Sequence, residues 1–212
     1  MKETSGFDKR KNNTLHELDL NINENRKDKS KQGFLDDEII DLVKTINSTR
    51  DYYTTSSCAG RILVMFKPNN QKKLNKAETI WIYKSHKISN FEDILQELDK
   101  FIETNNTEKK CGIISFKQEP MILHIEARDL DSAHNMIVLA GETGFKKKSI
   151  IGIRKRIILE ISSSNIIEFP IGENSEIKCN MEHLRWILEM ANKNIIRNKK
   201  MIDRFDEKIR IL

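Results

Sequence analysis

The sequence predicts an α+β fold, a single compact domain over residues 1–212 in which a mixed β-sheet is flanked by helices. Three observations carry this expectation. Short runs rich in β-branched and aromatic residues recur with turn residues between them. Segments with apolar residues at helical spacing stand among them. Several strand-like runs also follow one another with no helix between, which mixes antiparallel hairpins with crossovers. No stretch rich in Gly, Ser or Pro marks a linker, and no internal repeat is present.

Residues 5–47 read as a helical N-terminal segment. Phe7, Leu15, Leu18 and Ile22 share one thin helical stripe, and the polar residues 28–33 form a link with Gly33 as its stop signal. Asp36 and Asp37 open a helix whose apolar face is Ile39, Ile40, Leu42, Val43 and Ile46, acids in the first turn suiting the helix dipole. Residues 52–66 turn β-rich and are broken at Gly60, predicting two strand pieces around a tight turn. Further strands are predicted at 79–84, 111–117, 121–127, 156–162 and 166–170, with Phe116 to Pro120 as a charged hairpin turn. Helices are predicted at 90–104 and 129–141, each behind a capping residue, and a last helix over 180–211.

Of the 212 residues, 37 are Lys or Arg and 32 Asp or Glu, a net charge of +5. Charged residues make up 33% and hydrophobic residues 38%, against roughly 25% and 45–50% in soluble domains. A heavily charged surface over a core of modest share follows. Cys58, Cys111 and Cys179 stand far apart, which argues against a disulfide framework and a structural zinc site. The start is polar, and no run approaches the roughly 20 apolar residues of a membrane span. These features predict a cytoplasmic protein with no membrane association.

The familiar cofactor signatures are missing: there is no G-x-G-x-x-G, no Walker loop, no H-E-x-x-H and no G-x-S-x-G. The most unusual composition lies in Thr54-Thr55-Ser56-Ser57-Cys58-Ala59-Gly60-Arg61. Four hydroxyls, a thiol, a glycine and a guanidinium could clamp a small polar ligand, the arginine holding a carboxylate bidentately. The same composition also describes a Thr/Ser-rich edge strand that ends in a turn. The five histidines are scattered, and no metal site is built from them. Alternation puts His124 on the same face of its strand as Ile122, as a packed histidine or a site residue. His86 stands at the end of a strand, where binding residues gather. Lys146-Lys147-Lys148 and Arg154-Lys155-Arg156 bound an eleven-residue stretch without an acid. Such a block reads as a phosphate-binding footprint or as a solvated turn in a lysine-rich chain.

Taken together, certain residues resemble a known family. They are Phe7 with Lys9; Asp28-x-Ser30-Lys31-x-Gly33; Ile46-Asn47; and Tyr53-Thr54-Thr55-Ser56-Ser57-Cys58-Ala59-Gly60-Arg61-Ile62. The pattern continues through Trp81, His86, Phe116-Lys117-x-Glu119-Pro120-x-Ile122-Leu123-His124-Ile125, Leu130, Ala133, Gly144-Phe145 and Glu168-Phe169-Pro170. Over nearly its whole length the chain resembles the tRNA wybutosine-synthesizing protein 3 family, S-adenosylmethionine-dependent methyltransferases of the wyosine pathway. It departs from the family pattern at Ala59, Ile150 and Ser162.

The resemblance implies a fold unlike the Rossmann methyltransferases. It also implies methylation of ring nitrogen N(4) in the tricyclic guanosine next to the anticodon of phenylalanine tRNA, with S-adenosyl-L-methionine as cofactor. On this reading Thr55, Ser56, Ser57, Cys58 and Gly60 shape the cofactor or base pocket, and Arg61 holds a carboxylate. His124 or Glu119 takes up the departing proton, with His86 in reserve. Lys9, Ser30, Lys31, Lys117, Lys146, Lys147, Lys148, Arg154, Lys155 and Arg156 bind the tRNA, and Trp81 stacks on an extruded base. A module that binds the anticodon loop without catalysis is the alternative.

Overall fold

The structure is a computed structural model that describes residues 6–23, 36–69 and 79–211. In chain order the elements are α1 (Gly6–Asn23), a 3-10 turn (Asp37–Ile39), α2 (Ile40–Ser48), β1 (Tyr52–Cys58), β2 (Arg61–Pro68), β3 (Ile80–Ser85), α3 (Phe91–Glu108), β4 (Gly112–Glu119) and β5 (Ile122–Ala127). There follow α4 (Leu130–Glu142), β6 (Lys147–Gly152), β7 (Ile157–Ser162), β8 (Ile167–Glu173), β9 (Glu176–Ile177) and α5 (Met181–Ile209). The expected α+β class stands. The strands divide between two sheets, and every described pairing is antiparallel, including those whose strands are separated by helices.

The chain forms two compact units. The first comprises Met1–Ala59, Met121–Ser164 and Lys199–Leu212. Its sheet runs β1-β5-β7-β6. Leu123, Ile125, Leu159 and Ile161 point to one face by the strand period of two. There they are buried with Leu42, Val43 and Ile46 of α2, Met136 and Ala140 of α4, and Phe205 and Ile209 of α5. Each fully buried side chain of this size contributes about 1.5–3 kcal/mol. Phe145 meets Phe205 edge-on with centroids 5.5 Å apart.

Charge fixes α1 within this unit. Phe7 packs edge-on against Tyr53 at 5.4 Å, and Arg128 lies 4.5 Å over the Phe7 ring while its guanidinium bonds Asp8 and Asp51. Arg10 Nε donates to Glu126 at 2.9 Å, and Tyr53 donates its hydroxyl to the same carboxylate at 2.5 Å. Glu126 is 1% exposed. A buried carboxylate stays tolerable because it is paired and hydrogen-bonded.

The second unit comprises Gly60–Pro120 and Asn165–Asn198, with sheet order β3-β2-β4-β8-β9. Ile62, Val64, Phe66, Ile114 and Phe116 are buried with Ile94 and Leu98 of α3 and with Leu184 and Leu188 of α5. A Cβ at Gly112 would fall 2.4 Å from the Lys67 carbonyl oxygen, so only glycine fits at the start of β4. Gln118, fully buried, accepts from Asn194 at 2.8 Å.

Local patterning placed the elements well but missed their partners. The two strand pieces expected around Gly60 are present but do not pair with each other: β1 pairs with β5, while β2 pairs with β3 and β4. Gly60 has φ +91°, a conformation that costs a side-chain-bearing residue strain, and it lets the chain change sheets. The stretch 116–120 is likewise no hairpin turn. Phe116 to Glu119 complete β4, and Pro120, which has no N–H for a ladder, ends it before β5 begins in the other sheet. Residues 147–152, read as part of a basic block, form edge strand β6 against β7. Asp36 does not cap its helix through its side chain; its carboxylate accepts the Ala59 N–H at 2.9 Å instead.

Candidate active site

The block 54–61 passes from the first unit to the second between Ala59 and Gly60. Thr55, Ser56, Ser57 and Cys58 complete β1, with Thr55 and Ser56 exposed and Ser57 and Cys58 half-buried. A register shift between Thr54 and Ser56 turns the strand locally, and Thr55 donates its hydroxyl to the His124 carbonyl at 3.3 Å. Ser56 stands opposite His124 across the β1–β5 pairing. The strand face carrying Ile122 and His124 is the partly open one, while Leu123 and Ile125 are fully buried on the other. His124 is therefore not a core histidine. Its Nε2 lies 3.1 Å from the Glu160 carboxylate.

The same unit carries most of the basic residues. Lys9 is exposed on α1. Lys146, Lys147, Arg154, Lys155 and Arg156 are exposed on and beside the β6–β7 hairpin. Arg156 reaches within 3.8 Å of Glu126, and Lys148 turns its ammonium onto the Phe145 carbonyl at 3.2 Å. Ser30 and Lys31 lie outside the described residues.

In the second unit Gly60, Arg61, His86, Lys117 and Glu119 lie toward one end of the sheet, whereas Trp81 stands further along β3, opposite Met65. Arg61 and Glu119 are cross-strand partners, with Nε donating to the carboxylate at 2.6 Å. The guanidinium lies 4.8 Å over the Trp81 ring, whose other close cation is Lys84 at 5.2 Å. His86 donates from Nδ1 to the Gly60 carbonyl at 3.0 Å, since a carbonyl can only accept. Lys117 lies 3.1 Å from Glu168 and 3.8 Å from Glu119. Glu119 is thus engaged by two cations, whereas His124 keeps a ring nitrogen with no described partner.

Three functional-looking residues were not singled out from the sequence. Glu160 follows the alternation of β7 between the buried Leu159 and Ile161, a signal that marks its face but not its partner. Glu126 and Arg10 gave a weaker one, an acid inside the apolar run 122–127 and a base on a thin helix. Burial and the Glu126 carboxylate push the Tyr53 phenol up to about 12, and the hydrogen bond to Glu126 raises Arg10 further.

Among the described residues no helix is long and apolar enough to cross a membrane. The family model described as Methyltransferase TYW3 matches residues 9–211. A Pyrococcus horikoshii protein named tRNA(Phe) 7-((3-amino-3-carboxypropyl)-4-demethylwyosine(37)-N(4))-methyltransferase 1 is 33% identical over 213 residues, covering 100% of this chain and 99% of its own length. The tRNA wybutosine-synthesizing protein 2/3/4 of Arabidopsis thaliana is 33% identical over 207 residues, 94% of this chain and 20% of that longer protein. A solved structure of a Pyrococcus horikoshii protein superposes with a TM-score of 0.81 at 32% identity, over 99% of this chain and 98% of its own.

Proposed function

The chain belongs to the TYW3 methyltransferase family, and from that premise we propose that it methylates ring nitrogen N(4) of the tricyclic wyosine-type guanosine at position 37 of phenylalanine tRNA. The observation that carries this reading is the 33% identity, over almost the full length of both chains, to the archaeal enzyme named for that reaction. The family match over 9–211 takes in residues of both compact units, which supports reading residues 1–212 as one functional domain. Work on tRNA and the absence of a spanning helix among the described residues fit a cytoplasmic enzyme.

S-adenosyl-L-methionine is the donor in this reading; bound, it supplies a methyl group activated on a sulfonium. The residues present fit a ligand with a carboxylate and several polar groups. Arg61 uses Nε toward Glu119, and among the described residues neither Nη group donates to a protein acceptor, so both remain for a ligand carboxylate. The hydroxyls of Thr55, Ser56 and Ser57, the Cys58 thiol and the Gly60 backbone would contribute the polar surroundings. Glu119 and Trp81 hold the Arg61 side chain.

N-methylation removes a proton from the ring nitrogen, and an acceptor must take it. Of the candidates, His124 is the best suited, because Glu119 is committed to Arg61 and His86 to Gly60. The exposed Lys9, Lys146, Lys147, Arg154, Lys155 and Arg156 would bind phosphates of the anticodon loop, with Lys117 tempered by Glu168. The test is purified protein with labelled donor and tRNA from a strain blocked before this step. Label in the tricyclic base is the expected result; tRNA binding without label would mean a binding module.

A further inference from the structure

Four polar residues line up across the open face of the first unit's sheet. Ser56 of β1 stands opposite His124 of β5, His124 opposite Glu160 of β7, and Glu160 opposite Ser149 of β6. Directly opposed residues share a face, and all four are exposed or half-buried. Within this row His124 and Glu160 are hydrogen-bonded, Nε2 to Oε2 at 3.1 Å. Both strands are held in an unbroken six-pair antiparallel register from Ile122↔Ser162 to Ala127↔Ile157. The two side chains are therefore fixed on rigid backbone.

We propose that Glu160 is a positioning residue that fixes the tautomer of His124. The inference rests on His124 as the proton acceptor of the methyl transfer. An ionised carboxylate offers only lone pairs, so Nε2 must carry the proton of their hydrogen bond. In the neutral imidazole that leaves the free lone pair on Nδ1. The ring nitrogen of the substrate would then lose its N–H bond as its new N–C bond replaces the donor's methyl–sulfur bond, whose electron pair stays with the leaving thioether, and its proton would pass to Nδ1. The resulting imidazolium keeps its Nε2–H on the Glu160 carboxylate, which offsets the new positive charge. Ser149, at the far end of the row, faces Glu160 and not the histidine.

The experiment combines nitrogen NMR of the labelled imidazoles with single-turnover and steady-state kinetics on the full chain. Recorded at a pH where the imidazole is neutral, the expected wild-type spectrum shows the His124 proton on Nε2. Glu160→Ala should redistribute the two tautomers and lower kcat at least roughly tenfold with KM for tRNA little changed, a fraction of the ~10²–10⁴-fold that a positioned base contributes. Glu160→Gln loses the charge that offsets the imidazolium, and its amide N–H can donate to Nε2 and favour the other tautomer, so it should also lower kcat. Glu160→Asp keeps a carboxylate and should retain more of kcat than either. Glu160 is 39% exposed at its side chain, so unfolding midpoints should match the wild type and exclude a folding defect. An Ala variant with the wild-type tautomer, or with an altered tautomer and undiminished kcat, overturns the proposal. Full activity in His124→Ala overturns instead the reading of His124 as acceptor, while the spectra still decide what Glu160 does. No methyl transfer by the wild type would defeat the functional reading itself.

Discussion

Arg61 and Glu119 face each other across the β2–β4 pairing, and the guanidinium that donates from Nε to this carboxylate at 2.6 Å also lies over the Trp81 ring. Two neighbours thus hold the side chain, and among the described residues neither Nη group donates to a protein acceptor. An arginine pre-set in this way loses little freedom when it takes a carboxylate ligand.

Arg61→Ala should abolish most donor binding measured by calorimetry, and Arg61→Lys should rescue it poorly, because an ammonium cannot make the bidentate contact. A change of about tenfold or more in Kd is expected for both, close to 1.4 kcal/mol. Equal Kd in all three proteins would remove Arg61 from the site.

Tyr53 donates its hydroxyl to the buried Glu126 carboxylate. Its phenol is raised from 10.0 to about 12 by burial and by Glu126, so the fold favours the protonated form. That stabilisation is fully present below about pH 10 and is lost as pH rises through about 12. Tyr53→Phe should cost about 1–3 kcal/mol at neutral pH by leaving Glu126 one donor short. It should also flatten the alkaline fall in denaturation midpoint between pH 10 and 12, and a fall of undiminished size there would sink the assignment.

Gly60→Ala tests the sheet-changing corner. At φ +91° an alanine carries backbone strain of roughly 1–3 kcal/mol. The Gly60 carbonyl that His86 bonds would shift with it. A variant with both a lowered melting temperature and weaker donor binding is expected; unchanged values would show that the corner accommodates a side chain.

For the basic residues the structure draws a distinction that bears on tRNA. Lys146, Lys147, Arg154 and Lys155 are exposed, whereas Lys148 spends its ammonium on the Phe145 carbonyl. Neutralising any one of the four should reduce the salt slope of tRNA binding by about 1, while Lys148→Met should leave it nearly unchanged and lower stability. Filter binding from 50 to 200 mM salt measures this, and equal slopes for all five variants would contradict it.

His124 illustrates how far the sequence reaches. The alternation Ile122, Leu123, His124, Ile125 put the histidine on the face opposite two fully buried residues, and the structure bears this out. Its partner Glu160 is 36 residues away in sequence, beyond any local pattern. Gly60 and Pro120 were legible as breaks, since φ preference and a missing N–H are properties of single residues. That both breaks change sheets was not legible, because a hairpin and a sheet change use the same turn residues.

By itself, then, the sequence determined which faces of helices and strands are apolar, where the chain breaks, and how charge gathers near residues 146–156, all of which depend on near neighbours. It also carried the family resemblance through the hydroxyl-rich block and the segment with Glu119 and His124. Only the tertiary structure decided that Ser56, His124, Glu160 and Ser149 form one row and that Arg61 is held by Glu119. The physical reason is register: a strand pairs where burial of its apolar face and its backbone hydrogen bonds are satisfied together, and a shift of one residue would send each of these side chains to the opposite face.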